Sequence, residues 1–486
     1  MSNEIAGLTP KGLWESFYKL TQIPRPSKKE GKAIDFIENF GKSLGLETIR
    51  DEVGNVIIRK PATPGLEDRK GVVLQGHIDM VPQKNSDKKH DFEKDPIETY
   101  IEDGWVTANG TTLGADNGIG VAAAMAVLQA SDIEHGPVEA LITMDEEAGM
   151  TGANALKPGL LQGDILLNMD SEDEGELYVG CAGGTNASVE FKYTEEAVPE
   201  GSVAYRLSLT GLKGGHSGLD INRGRGNANK LIFRFLKFAV ANLDARLASI
   251  DGGSLRNAIP REAFAVITLP SENADELIES IEEFEEIFVE EYKGAETAIS
   301  FTAEVASLPN GVIQELVQDD LINAIQACPN GVIRFSNDME GLVETSTNLA
   351  IVKSTSSSIE VKCLLRSSVD TAKEDLESSI ESTFRLAGGE VTFGGQYPGW
   401  KPNMDSPILR TMQEVYNNMW GKIPEIKAIH AGLECGILGS AYPHWDMISF
   451  GPTIRFPHSP DEKVNIETVS KFWDFLVETL KSIPKK

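Results

Sequence analysis

Short apolar runs alternate with longer amphipathic stretches through the first third of the chain. NVIIR (55–59), GVVLQGH (71–77), VEALITM (138–144) and DILLNMD (164–170) are almost continuously apolar and too short for ordinary helices, so they are expected as buried strands. Between them, KKEGKAIDFIENFGKSLG (28–45) and NGIGVAAAMAVLQAS (117–131) have the length and pattern of helices. Strands apolar along their whole length and separated by helices predict an α/β sheet with a parallel core flanked by helices. In such sheets, sites form where loops leave the carboxyl ends of the strands.

Near residue 189 the pattern changes. Strands are expected near 203–210, 254–259, 263–269 and 298–304, with helices near 227–249 and 272–292. Similar elements follow: helices near 312–327 and 371–387, and strands near 347–352, 358–365 and 390–394. Gly-rich junctions, CAGGTN (181–186) and FGGQYPGWKPN (393–403), flank this stretch as candidate hinges. The tail, 397–486, reads as helix, strand, loop and helix. The expected architecture is α/β: a domain of residues 1–188 and 397–486 with a mixed, largely parallel sheet, interrupted by an α+β lid, 189–396, made of two tandem halves.

Composition narrows the function. A chain of 486 residues exceeds one ordinary domain. Asp and Glu number 74 against 45 Lys and Arg, a formal charge of −29, which argues against nucleic acid or an anionic membrane as partner. Stretches such as ENADELIESIEEFEEIFVEE (272–291) are expected as solvated helix faces. Cys181, Cys328, Cys363 and Cys435 form no CxxC pair, which fits free thiols in a reducing compartment. The start shows no signal-peptide core, and the longest apolar run, 119–130, falls short of the roughly 20 residues that span a bilayer, so a cytoplasmic location is expected.

The candidate chemistry lies in five turn-rich motifs: GHIDMV (76–81), LGADNG (113–118), TMDEEAG (143–149), LLNMDSE (166–172) and FPHSPDE (456–462). They contribute His77, Asp116, Glu147, Asp170 and His458. Two imidazoles and three carboxylates suit a pair of divalent ions, with one carboxylate bridging and one His and one carboxylate left for each ion. In H-x-D, Asp79 is placed to hold the second nitrogen of His77. Asp116, just ahead of a helix, is either a helix cap or a bridging ligand. Adjacent residues point in different directions, so Glu147 can bind metal while Glu146 serves as general base. Of the other histidines, His90 and His135 are expected on polar, exposed loops. His430 and His444 lie in the tail, and His216, in LKGGHSGLD, falls in the lid.

Together these motifs resemble those of the dinuclear zinc metallopeptidase family that includes glutamate carboxypeptidase, aminoacylase and cytosolic dipeptidases. GHIDMV, DEEAGMTGA and GPTIRFPHSPDE carry the resemblance in order and spacing, across essentially the full chain. The large lid, the LGADNG form and the CAGG segment resemble the aminoacyl-histidine dipeptidase branch. The resemblance implies that His77 and Asp170 bind one ion, Glu147 and His458 the other, and that Asp116 bridges them. It also implies a cis peptide at Asp116–Asn117. In the lid it implies His216 as oxyanion donor, Asn257 (in RNAIP) as a substrate contact, Arg366 (in CLLRSS) as the holder of the substrate carboxylate, and a backbone contact from Gly432.

The function implied is metal-dependent hydrolysis of dipeptides, Xaa-His and β-alanyl-histidine among them, through a metal-activated water deprotonated by Glu146. The ions would be zinc, with cobalt or manganese also suited to such ligands. An N-acyl-amino-acid deacylase on the same scaffold and a non-catalytic metal-binding scaffold are the alternatives. Partners are then a small dipeptide and, through the lid, a second copy of the chain.

Overall fold

The computed structural model describes residues 4–486, which divide into two compact units. The first comprises residues up to Cys181 together with Pro402–Ala428 and Leu433–Lys486; the second is Ala182–Lys401 with Ile429–Gly432.

An eight-stranded mixed sheet organises the first unit. Its strands run in the order Glu47–Arg50, Val56–Lys60, Val138–Thr143, Val72–His77, Ile165–Asn168, Asp446–Ser449, Glu176–Cys181 and Glu425–Ile429. The central four are parallel, with His77 opposite Thr143, Gln75 opposite Asn168 and Met447 opposite Leu166. These are the continuous apolar runs. Val72–His77 and Val138–Thr143 are buried at every position, as strands covered on both faces must be. Among the flanking helices, Ala115–Gln129 is buried along nearly its whole length, so its small and apolar residues serve packing rather than a solvated face. A separate four-stranded sheet, formed by Ile454–Arg455, Lys463–Asn465, Trp105–Ala108 and Thr99–Glu102, was not foreseen from the sequence.

The second unit is built on one continuous antiparallel sheet. Its strands are ordered Ser300–Ala306, Ser202–Thr210, Ala263–Pro270, Arg246–Gly252, Val343–Ser354, Ser358–Ser367, Gly183–Lys192 and Glu390–Tyr397, with Gly331–Phe335 also pairing to Val343–Ser354. A four-stranded half and a five-stranded half join where Asp251 and Gly252 pair with Lys353 and Val352. One hydrophobic core, including Phe235, Phe288, Phe301 and Phe384, is shared by the sheet and the helices Ala228–Asn242, Ala274–Glu291, Glu315–Ala327 and Asp370–Leu386.

Several expectations change. The halves are not strictly tandem, because Gly183–Lys192, the first strand of the unit, sits between the last two strands of the later half. That strand also runs through 188 and 189 without a break, and the second unit begins at 182. The helix expected over 227–249 stops at Asn242. Asp244 adopts a left-handed backbone, and Arg246–Gly252 is a strand, with the buried Leu247 and Ile250 facing the core across a bulge. Of the strand expected at 254–259, only Ala258–Ile259 forms. No helix among the described residues is long and apolar enough to cross a membrane.

Candidate metal centre

Each proposed ligand leaves a strand end or a tight turn of the first unit. His77 is the last residue of its buried strand, and Asp170 lies two residues past Ile165–Asn168. Glu146 and Glu147 open a single helical turn, Glu146–Gly149, entered through Asp145 in a left-handed conformation. His458 also has positive φ, in the loop between Ile454–Arg455 and Lys463–Asn465.

These side chains converge on Asp116. Its Oδ1 lies 3.1 Å from His77 Nε2, and its Oδ2 lies 3.3 Å from His458 Nε2. His77 Nε2 is also 3.2 Å from Asp170 Oδ1, and His458 Nε2 is 3.0 Å from Glu147 Oε1. One carboxylate therefore faces two imidazoles, each backed by a further carboxylate. Ligand atoms of His77, Asp116 and Asp170, of His77, Glu146 and Glu147, and of Asp116, Glu147 and His458 each lie within 4.8 Å of one another. The helix-cap reading of Asp116 is overturned: its side chain makes no capping bond, Gly114 occupies the cap position, and Asp116 has non-helical backbone angles. The Asp116–Asn117 peptide is cis.

The donor set fits divalent cations. Each imidazole Nε2 faces two carboxylate oxygens at once, His77 those of Asp116 and Asp170 and His458 those of Asp116 and Glu147, and one ring nitrogen carries at most one proton to share between them. The carboxyl groups around the row also crowd one another. Burial, with neighbouring carboxylates next, pushes Glu172 up to about 9; burial likewise takes Asp170 to about 7 and outweighs the nearby His77. Burial drives Glu146 well above the usual range; Asp170, Glu434 and Glu147 add to this, while His77 opposes it. Hydrogen bonds to Asp116 and Glu147 push His458 up to about 11, and those from His458 and His77 keep Asp116 low in spite of its burial. Cations of high charge would relieve such a cluster of buried anions.

Asp79 lies where the sequence suggested, with Oδ1 3.3 Å from His77 Nδ1. It does more than that. Its carboxylate accepts the backbone N–H of Glu146 at 2.9 Å and of Glu147 at 3.2 Å, and the Ser27 hydroxyl at 2.7 Å. Although burial raises it, these bonds and His77 hold Asp79 near 2. It thus ties the glutamate turn to the histidine strand.

Sequence reasoning missed three buried charged residues. Glu434 accepts from Gln75 Nε2 at 2.5 Å and Thr143 Oγ1 at 2.7 Å, across two of the parallel strands. Arg25 and Glu462 bind backbone groups of the ligand loops. None has a periodic signal, because their partners are backbone atoms or residues far along the chain. His135, expected exposed, is buried, with Nδ1 2.6 Å from the Gly136 carbonyl oxygen.

The second unit gathers a cluster of its own. His216 Nδ1 accepts the backbone N–H groups of Gly218 (3.2 Å) and Leu219 (3.0 Å), so the neutral ring carries its proton on Nε2. Burial, then Arg366, lowers its pKa. Asn257 adjoins it, since the Asn257 carbonyl accepts from Ser217 N at 2.9 Å and His216 pairs with Ala258. Arg366 is buried, donates to the Tyr397 hydroxyl at 3.2 Å, and forms no ion pair with a carboxylate among the described residues. His430 Nε2 lies 2.7 Å from Ser346 Oγ. Gly218 packs against His216, Arg366 and the His430 carbonyl so closely that a side chain there would collide with that carbonyl. Gly432 closes the short segment Ile429–Gly432 that belongs to this unit.

Fold and residue set define a class. Residues 73–482 match the peptidase family M20/M25/M40, and the chain belongs to that family of peptide hydrolases. Among its relatives, the cytosol non-specific dipeptidase of Escherichia coli (strain K12) is 48% identical over 484 residues, spanning 100% of both chains. The crystal structure of aminoacylhistidine dipeptidase from Vibrio alginolyticus superposes with a TM-score of 0.94 at 52% identity, covering 99% of each chain. The aminopeptidase PepT of Bacillus cereus shares the fold, with a TM-score of 0.57 at 16% identity over 98% of this chain and 99% of its own.

Proposed function

We propose that this chain is a metal-dependent dipeptidase acting on Xaa-His dipeptides, β-alanyl-histidine among them. The observation that carries the reading is Asp116 held between His77 and His458, with Asp170 and Glu147 beside them, in a chain of this peptidase family. The named activities of the relatives at 48% and 52% identity support the substrate class. In this proposal His77 and Asp170 would hold one ion and Glu147 and His458 the other, with Asp116 available to both. Zinc suits the donors, as do cobalt and manganese. When bound, the ions acidify a water and polarise the scissile carbonyl.

The remaining steps belong to the chain's own residues. Glu146 takes the proton of the attacking water and returns it to the leaving amine; a carboxyl raised by burial is suited to both directions. Asp79 fixes the ring of His77 and the start of the glutamate turn. In the second unit, His216 offers a neutral N–H for a developing oxyanion. The buried guanidinium of Arg366, which forms no ion pair with a carboxylate among the described residues, offers a seat for a terminal carboxylate, with Asn257 and Gly432 as further substrate contacts. A substrate- or dimer-forming role for the second unit and a cytoplasmic location complete the proposal; the latter is supported by the cytosolic relative.

Metal analysis of the purified chain alongside a panel of dipeptides and N-acetyl amino acids tests this. The expected result is divalent metal near two per chain and preferential cleavage of dipeptides. Preferential deacylation would move the assignment to the acyl-amino-acid hydrolases, and full activity after exhaustive chelation would sink it.

A further inference from the structure

Three loops of the first unit carry the row His77, Asp116 and His458, and two buried charged residues bind those loops together. Arg25, only 1% exposed, precedes the segment matched to the family. Its Nη1 donates to the carbonyls of Ile78 (2.8 Å) and Asp79 (3.2 Å), just past His77, and its Nη2 donates to the carbonyl of Gly114 (2.5 Å), just before Asp116. Gly114 has φ of 72°, and a side chain there would meet Arg25 Nη2, so the loop closes on the guanidinium only with glycine.

Glu462 works from the other side. It lies four residues past His458, in the same loop, and is 2% exposed. One carboxylate oxygen accepts the N–H groups of Leu113 (2.7 Å) and Gly114 (2.9 Å), and the other accepts those of Ala115 (2.8 Å) and Asp116 (3.2 Å). Consecutive N–H groups converging in this way form an anion-binding nest, here filled by a side chain of the same chain. The His77 loop is therefore tied to the Asp116 loop by Arg25, and the Asp116 loop to the His458 loop by Glu462.

We infer that Arg25 and Glu462 are positioning residues that set the spacing of the His77–Asp116–His458 row, and so the affinity and geometry with which it holds its ions. The inference rests on the metal reading proposed above. Neither residue touches the ions or substrate in this reading; each acts through the loops it binds.

The chemistry of the two groups supplies the test. Glu462→Gln keeps the volume but turns an amide NH2 toward N–H donors, so one pair of acceptor bonds is lost. Arg25→Lys keeps the charge but gives up the planar fork that reaches both loops. Cobalt(II) is the probe. Affinity is measured by titration of metal-stripped full-length protein, and geometry by the visible absorption of the cobalt form. Far-UV circular dichroism and melting of the metal-stripped protein report the fold.

Both variants are expected to fold, to bind cobalt about 10–100-fold more weakly and to shift the cobalt absorption. Their kcat should fall with KM little changed. Should one fail to fold, the other carries the same measurement. Wild-type cobalt affinity and spectrum in a folded variant overturn the inference, as does a loss of melting temperature alone. Wild-type protein that binds no cobalt overturns the metal reading itself, a result distinct from either.

Discussion

The two polar clusters of this chain are opposite in sign. In the first unit, withdrawal from water first and neighbouring carboxylates next raise Glu146, Asp170, Glu172 and Glu434 around two imidazoles. In the second, burial first and the nearby Arg366 guanidinium next hold His216 and His430 low, and no carboxylate among the described residues forms an ion pair with that guanidinium. Burying groups of one sign is costly unless countercharge arrives with a ligand. A bound cation would relieve the first cluster, and a bound anion the second.

The sharpest way to break this contrast is in the acidic cluster. Glu146→Gln should lower kcat by about 10²–10⁴-fold while metal content stays at the wild-type level, measured by dipeptide hydrolysis beside elemental analysis. Near-normal turnover would remove Glu146 as the base. In the basic cluster, His216→Ala should lower kcat by about 10²–10³-fold, with a smaller change in KM, because an oxyanion donor acts chiefly in the transition state. A change confined to KM would count against that role. Arg366→Met should cost about 1.5–3 kcal/mol in kcat/KM for dipeptides, the worth of a charged hydrogen bond. The loss should shrink for a substrate whose carboxyl terminus is amidated; an equal loss on both would show that Arg366 does not read the carboxylate.

The smallest effect concerns stability. Burial, aided by the charge of Arg366, holds His430 near 3, against about 6.5 for a free imidazole. Between those values the unfolded chain binds a proton that the folded chain does not, so this group's contribution is intact above about pH 6.5 and is lost as pH falls. From pH 6.5 to 5 it should remove about 1.6 kcal/mol. Urea denaturation at both pH values should show that loss in the wild type and a shallower one in His430→Gln; parallel losses would refute the assignment.

Much of this was legible in the sequence. The apolar runs 71–77, 138–144 and 164–170 became the parallel strands Val72–His77, Val138–Thr143 and Ile165–Asn168, because a strand buried on both faces needs apolar residues at nearly every position. His77, Asp79, Asp116, Glu147, Asp170 and His458 stood out as polar residues in turns beside such runs, and the structure brings them together. The helix that was expected to continue to 249 shows the limit. LDARLASI supports helical and strand readings alike over so short a span, and pairing with Ala263–Pro270 decided for the strand. The setting of Gly183–Lys192 in the later half of its sheet had no local signal at all.

Residue types and their places at the ends of elements were thus fixed by the chain's own order. Local propensity and burial pattern act over a few residues, and those are enough to locate strands, turns and candidate ligands. The folded structure alone decided that Asp116 meets His458 across 342 residues, and that Arg25 and Glu462 capture the backbone between them. Such contacts form between groups that only the closure of long loops makes neighbours, and a backbone N–H or carbonyl carries no mark in the sequence of the side chain it will bind.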